Sequence, residues 1–539
     1  QEPDGYLQTA FTLDRAGRGG KVIESSKFKH WDPAHRGDHE GYVAGYFIES
    51  AINHYMMTGG KDLRLYNAVK KLCDCWADNL GPAPKKPWYD GHQQMEQGLV
   101  RFGRFVNDTE GGGKGNRYIQ LAKYLLDARY VSAPGERSRH SYDQSHLPVV
   151  EQYEAVGHAV RAVYTYSGMA DVAVETHDPD YQSAVKSIWA NLTHRKLYLT
   201  GGVGSGETSE GFGEDYSLPM DAYCEACSSC GEIFFQWKLH LAYHDARYVD
   251  LYEETLYNAL LGSLSLEGKH FYYDNPLDER NPRYAWHVCP CCVGNIPRTL
   301  LMLPTWTYTK SADSIYVNLF AGSTIRLEGV AGTDVELVQK TDYPWRGQVA
   351  LTVNPKQAKR FSLRIRVPNR NPSALYRSEP DVPVVNLYSV NGNPQMAQLE
   401  KGYAVLTREW KAGDKVEFNV PLLPQRVHAD PKAASTRGKV ALRYGPLIYN
   451  VEAADQDISK SLPPDARLTT EWMPDLLGGI AVIRGKFSDD SPLLAIPHFA
   501  RMNSAPGRDY PVPEPRPDAT GKKPEPPPLA SVVWIKEGA

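Results

Sequence analysis

The chain carries eight cysteines in 539 residues, and three of them crowd into AWHVCPCCVGNIPR at residues 285–298. They are Cys289, Cys291 and Cys292, the last two adjacent. A second group, Cys224, Cys227 and Cys230, stands in AYCEACSSCGE, and the remaining pair, Cys73 and Cys75, lies in KLCDCW. For Cys73 and Cys75, buried thiols or a disulfide are ordinary readings. The two clusters fit such readings poorly, because adjacent cysteines bond to each other only through a strained ring and a chain of this length needs no staples. Thiolates grouped at short spacing in two distant segments suit a soft metal, zinc above all. Spacing alone does not choose among the six sulfurs, and Glu225 among them could supply an oxygen. Disulfide or redox chemistry and inert thiols stay open.

Two kinds of element must position these groups. Up to about residue 305 apolar residues recur at i, i+3, i+4 and i+7, predicting amphipathic helices over 41–59, 94–108, 118–131, 150–174, 181–194, 228–245 and 247–264. Gly59–Gly60 and Gly168 stand where helix C-caps are expected. Successive helices without intervening strands bury their apolar stripes in a bundle or a ring of hairpins, and the series suits an α/α toroid. Beyond residue 305 the period falls to two in runs such as SIYVNLFAGSTIRL, RFSLRIRVP, GYAVLTREW and KVALRYGPLIYNVE, which predicts antiparallel β-sandwiches. Residues 503–528 are Pro-rich, an extended excursion before SVVWIKE, which reads as one more strand. The expected domains are therefore 1–305, 306–430 and 431–539, the last holding the Pro-rich insertion.

Bulk properties exclude some partners. With 42% hydrophobic and 23% charged residues and a formal net charge of −4, the chain offers no basic surplus for nucleic acid or an anionic membrane. It contains no apolar run long enough to span a bilayer. Aromatic residues make up 11%, a supply that suits stacking on sugar rings as well as core packing. Gln1 in place of a methionine predicts a trimmed chain that has lost a signal peptide, hence a periplasmic or secreted location.

The same residues resemble family-127 glycoside hydrolases, the relatives of β-L-arabinofuranosidases. The likeness runs nearly end to end, through DHEGYVAGYFIESAINHY, YDGHQQMEQGLVRFGR, DQSHLPVVEQYEAVGHAVRAVYTYSGMADVA, LTGGVGSGETSEGFGEDYSLPMDAYCEAC, FYYDNPL, CPCCVGNIPR and KVALRYGPLIY. A Glu-x-Cys followed far downstream by Cys-Cys is its specific mark. The resemblance implies an (α/α)6 barrel followed by β-sandwiches, and one Zn2+ held by Glu225, Cys227, Cys291 and Cys292. It makes Cys291 the nucleophile and Glu210, in SEGF, the acid/base, chosen over Glu207 and Glu214 nearby. His39, His92 and His158 match substrate-contacting histidines, whose neutral rings both donate and accept as sugar hydroxyls require. Gln152, Tyr273 and His287 join them as substrate-binding candidates.

The implied activity is retaining, exo-acting release of a terminal β-L-arabinofuranose or related pentofuranose from a plant oligosaccharide. Zinc ligation would keep Cys291 as thiolate. That thiolate would attack the anomeric carbon, while Glu210 protonates the leaving oxygen and later deprotonates water. The chain departs from the family where Val293 and Gly294 replace two prolines after the paired cysteines, where Cys224 and Cys230 are additional, and where the segment before Glu225 is a residue shorter. A changed wall beside the nucleophile raises an alternative substrate, an acidic or branched sugar of the aceric acid type in complex pectin. A carbohydrate-binding relative without catalysis, and a thiol–disulfide enzyme using Cys224–Cys227 or Cys227–Cys230, are readings from other classes. Metal analysis with a thiol count separates the last of these, since it requires a disulfide and no zinc.

Overall fold

The structure, a computed structural model, describes residues 1–9, 30–130, 141–287, 289–503 and 526–538. Most of the Pro-rich stretch expected at 503–528 lies outside the described residues. The chain divides into two compact units, Gln1–Leu192 with Glu207–Phe212, and Thr193–Gly206 with Gly213–Ala539.

The first unit is helical. Its helices are α1 (Glu40–Met57), α2 (Arg64–Asn79), α3 (Met95–Glu110), α4 (Asn116–Asp127), α5 (Ala159–Thr176) and α6 (Pro179–Asn191). The stripe read from sequence is what is buried: in α2, Val69, Leu72, Cys73 and Trp76 follow i, i+3, i+4, i+7 and all are covered. Each such side chain contributes roughly 1.5–3 kcal/mol by leaving water. Consecutive helices pair as hairpins, α1 with α2, α3 with α4 and α5 with α6, while α1, α3 and α5 also pack side by side. Those three form an inner row, and α5 is buried almost all round, as an inner helix must be.

Two expectations change here. The helix predicted over 150–174 begins at Ala159, because Gly157 breaks the chain with φ of 80°. A Cβ there would stand 1.9 Å from the Ser141 carbonyl oxygen, so glycine is required. Gly168 is not a C-cap but lies inside α5, where a Cβ would meet the Glu96 Cβ at 3.1 Å. It is a point of close helix approach. Gly59 and Gly60, with φ of 58° and 71°, do close α1, and the Gly60 amide donates to the Tyr55 carbonyl. Cys73 and Cys75 are both buried in α2.

The second unit joins helices to sheets. Its helices α7 (Ala226–Tyr243), α8 (Ala246–Thr255) and α9 (Cys291–Leu301) form a layer in which α7 contacts both others. A six-stranded and a five-stranded sheet enclose one core, in which Leu351, Val353, Leu363, Ile365, Leu406 and Trp410 are fully covered. The alternation is direct: Asp414–Asn419 reads buried, exposed in strict turn. An eleven-stranded sheet follows, with its own core around Val440, Leu442, Leu447 and Ile483. It recruits Asp278–Glu279 and Tyr376–Glu379 from earlier in the chain. SVVWIKE supplies two short strands, Ser531–Val532 and Ile535–Glu537, rather than one.

Among the strands of the described residues, pairing is antiparallel with two exceptions. Ser314–Val317 runs parallel to Lys359–Arg366, and Ser461–Leu462 parallel to Ile535–Glu537. A period of two reports which face is buried and carries no information on strand direction, so the sequence could not show this. Ion pairs anchor α8 to the sheets. Arg366 donates to Asp250 at 2.7 Å and also to Glu253, and Arg370 reaches Glu253 at 3.0 Å. Burial raises the Glu253 pKa, but the two guanidinium groups outweigh it and hold the carboxyl below its ordinary value. Arg443 binds Glu254 from the third sheet.

Candidate active site

In the second unit the cysteine question resolves by geometry. Glu225 is the N-cap residue of α7 and Cys227 lies in its first turn, while Cys291 and Cys292 open α9. One carboxylate oxygen and three sulfurs, from Glu225, Cys227, Cys291 and Cys292, lie within 4.8 Å of one another. The separations are 3.2 Å for Cys227–Cys292, 3.8 Å for Cys291–Cys292, 3.3 Å for Cys291–Glu225 and 3.4 Å for Cys292–Glu225. A tetrahedral ion with metal–sulfur bonds of about 2.3 Å spaces its ligands by about 3.7 Å. The four donors therefore fit a metal ion. All eight cysteines are free thiols, so the two disulfide pairings considered for Cys224, Cys227 and Cys230 are not formed.

Electrostatics point the same way. Burial, then the Cys291 sulfur, pushes the Glu225 carboxyl well above its ordinary pKa. Burial and the neighbouring sulfurs do the same to the Cys292 thiol. Burying these two groups as anions beside each other requires a cation to join them. The donors stand at the N-terminal ends of α7 and α9, where the positive ends of the helix dipoles help offset the negative charge. Tyr223 donates its hydroxyl to Glu225. Burial and the Glu225 charge raise the Tyr223 pKa, so it stays a donor.

The flanking groups are ordered around these donors. Cys289 is exposed with its sulfur 3.5 Å from Cys291, and stands outside the four-donor group. Cys224 and Cys230 are buried thiols, and burial holds Cys230 at about 12. Tyr273 stacks on His287 at 4.2 Å, and its backbone N–H donates to the Tyr284 hydroxyl at 2.8 Å. The His287 Nδ1 accepts from the Cys289 amide at 3.1 Å, so this ring shapes the turn that delivers the cysteines.

The first unit assembles a different set. His39 caps α1, His92 precedes α3 and His158 caps α5, so all three histidines sit at the N-terminal ends of the inner row. Their rings are 5.2 Å apart for His39–His92 and 5.9 Å for His92–His158. Burial, then the Arg161 charge, lowers the pKa of His39 and of His92. Burial lowers that of His158 too, against a rise from Glu210. Neutral rings result. Glu210, half-buried with φ of 51°, lies 3.0 Å from His158 Nε2 through its Oε2. Its backbone carbonyl accepts from the Ala159 amide, which fixes its loop to the start of α5. Tyr142 donates to the same carboxylate at 3.4 Å.

Gln152 is buried nearby in sequence, but its amide protons go to the Gln144 and Leu147 carbonyls, both at 2.8 Å. Sequence reading missed Tyr142, Arg161, Tyr223 and Asn295. Tyr223 and Asn295 stand within the quoted motifs, two residues before Glu225 and three after Cys292, and spacing gives no reason to single them out.

Comparison with known proteins finds similar sequences and structures along nearly the whole chain. Residues 1–305 match the family model described as β-L-arabinofuranosidase, GH127 catalytic domain. Residues 314–422 match its middle domain and 424–509 the family's C-terminal domain. The chain is 30% identical to a non-reducing end β-L-arabinofuranosidase of Bifidobacterium longum subsp. longum, over 92% of this chain and 78% of that protein. Among solved structures, a GH127 β-arabinofuranosidase superposes with a TM-score of 0.86 at 33% identity, covering 100% of this chain and 82% of that one. A GH127 β-L-arabinofuranosidase from Geobacillus stearothermophilus T6 gives 0.84 at 31% identity, covering 100% and 84%.

Proposed function

This chain belongs to glycoside hydrolase family 127 and is a glycoside hydrolase, and from that premise we propose that it releases a terminal β-L-arabinofuranose, or a related pentofuranose, from plant oligosaccharides with retention of configuration. One observation carries the reading. Of the four clustered donors, Glu225, Cys227 and Cys292 are buried while Cys291 is half-exposed. Cys291 is thus the sulfur a sugar carbon can reach.

Three sulfurs and one carboxylate suit Zn2+ better than harder cations. Bound by Glu225, Cys227, Cys291 and Cys292, it would keep Cys291 deprotonated at neutral pH, where a free thiol of pKa about 8.5 is mostly protonated. The Cys291 sulfur attacks the anomeric carbon, and the bonding pair of the broken glycosidic bond leaves with the aglycone oxygen. Glu210 gives that oxygen its proton. Glu210 then takes a proton from water, whose oxygen displaces the sulfur from the same carbon. Two inversions restore the starting configuration. These two roles are carried over from the family resemblance, residue by residue.

His39, His92 and His158, held neutral by burial, can donate to one hydroxyl and accept from another. Burial, then the charges of Glu225 and Cys291, keeps the Tyr273 hydroxyl protonated as a further donor. His287 and the remaining acceptor of Gln152 complete the proposed contacts. The architecture that goes with the reading is an (α/α)6 barrel over 1–305, then sandwiches over 306–430 and 431–539. The hairpins of the first unit and the spans of the three family models support it.

The test is a hydrolysis screen against arabinan, arabinosylated glycoprotein and pectin oligosaccharides, with Cys291→Ser and Cys291→Ala as controls. Release of arabinofuranose by the native protein alone, with a glycosyl adduct on Cys291 trapped by a slow substrate, is expected. Preference for acidic pectin fragments would move the substrate to the aceric acid type. Undiminished release by Cys291→Ala would sink the mechanism.

A further inference from the structure

We propose that Asn295 is a positioning residue of the metal centre, its side-chain amide holding the Cys227 sulfur in the direction and electronic state that metal binding needs. The inference rests on the zinc reading above. Asn295 Nδ2 donates to Cys227 Sγ at 3.0 Å, and Asn295 is fully buried. It lies on α9 four residues after Cys291 and three after Cys292, so all three share one helix face. That helix therefore supplies two of the four donors itself and controls a third, which belongs to α7.

The residue type is informative. Asparagine is a poor helix former, and a buried amide without partners costs about 1–3 kcal/mol. Leucine has the same number of side-chain heavy atoms, branched at the same carbon, and neither cost, so an apolar packing role does not call for an amide at this position. What the amide adds is a donor, and a donor to thiolate is a charge-assisted hydrogen bond. Such a bond draws electron density from the sulfur and restricts rotation about the Cys227 Cα–Cβ bond. The backbone carbonyl of Asn295 also accepts from the Thr299 hydroxyl at 2.7 Å, so the amide stands on a helix turn that is itself bonded. Partners of this kind, one step out from the ligands, orient them and tune the metal.

The experiment compares the native protein with Asn295→Leu. Zinc affinity is measured by competition with a chromogenic chelator, and the sulfur-to-metal charge-transfer band is recorded after cobalt substitution. We expect one zinc per native chain, and zinc held ten- to a hundredfold more weakly by the variant. The variant's charge-transfer band should move to longer wavelength, because a sulfur without its N–H donor gives up charge more easily. A merely structural role would weaken binding without moving the band. Affinity within threefold of native and an unmoved band would overturn the proposal. If Asn295→Leu does not fold, cadmium-113-loaded native protein decides: a scalar coupling between the metal and the Asn295 amide proton supports the bond, and its absence overturns it. A native protein that binds no zinc would instead refute the metal reading beneath it.

Discussion

Cys292→Ser tests the assignment that spacing alone left open. Its sulfur forms three of the six edges of the donor tetrahedron, at 3.2, 3.4 and 3.8 Å from Cys227, Glu225 and Cys291, and the residue is fully buried. A four-ligand zinc site contributes about 10–16 kcal/mol, so one ligand accounts for roughly 2.5–4 kcal/mol. At about 1.4 kcal/mol per factor of ten, zinc should bind about a hundred- to a thousandfold more weakly. Serine keeps the shape and offers a hydroxyl that is not ionised at neutral pH, so the loss isolates the thiolate. The assay is equilibrium competition against a chelator at fixed pH. Cys289→Ser serves as the paired control, because Cys289 is exposed and lies outside the donor group although only 3.5 Å from Cys291. It should change affinity by less than tenfold. The reasoning fails if Cys292→Ser stays within tenfold of native, or if Cys289→Ser weakens zinc as much.

Three further expectations concern the scaffold. Arg366→Met leaves Asp250 buried without its guanidinium partner and Glu253 with Arg370 alone, and urea titration should show a loss of about 3–5 kcal/mol. Gly157→Ala places a methyl group 1.9 Å from the Ser141 carbonyl at a φ of 80°. It should shift the His158 cap and cut turnover at least about tenfold while costing a few kcal/mol of stability, measured by steady-state kinetics and thermal unfolding. Burial, then His244, lowers the His240 pKa from 6.5 to about 3. Its neutral form therefore supports folding fully above the unfolded pKa, and that support drains away as pH falls from about 6.5 toward 3. Between pH 6.5 and pH 4 the native protein should lose roughly 3 kcal/mol more than His240→Gln in paired denaturant titrations. Equal losses would exclude His240 as the cause.

Much of the scaffold was legible because burial on one face leaves a period in the residues. Val69, Leu72, Cys73 and Trp76 announce α2, and Asp414–Asn419 alternates as a strand must. Where the period failed, a single backbone contact was responsible. Gly157 stops the stretch from Val150 from joining α5, and Gly168 marks a helix crossing instead of a helix end. The two parallel strand pairings are invisible to a pattern that reports faces and not directions.

Chemical type was settled by composition. Six sulfurs in two short segments are soft donors wherever the chain takes them, and histidines in apolar settings are built to be neutral hydrogen-bonding rings. Selection among equals was not settled there. Cys224, Cys227 and Cys230 are alike in one dimension, and so are Cys289, Cys291 and Cys292. What separates them is where α7 and α9 begin, since a helix start fixes which side chains converge and which one stays within reach of solvent. Tyr223 and Asn295 matter through atoms met only after folding, at a carboxylate and a sulfur. Residue chemistry is local and survives in the sequence, whereas distances between side chains far apart in the chain exist only once helices have packed.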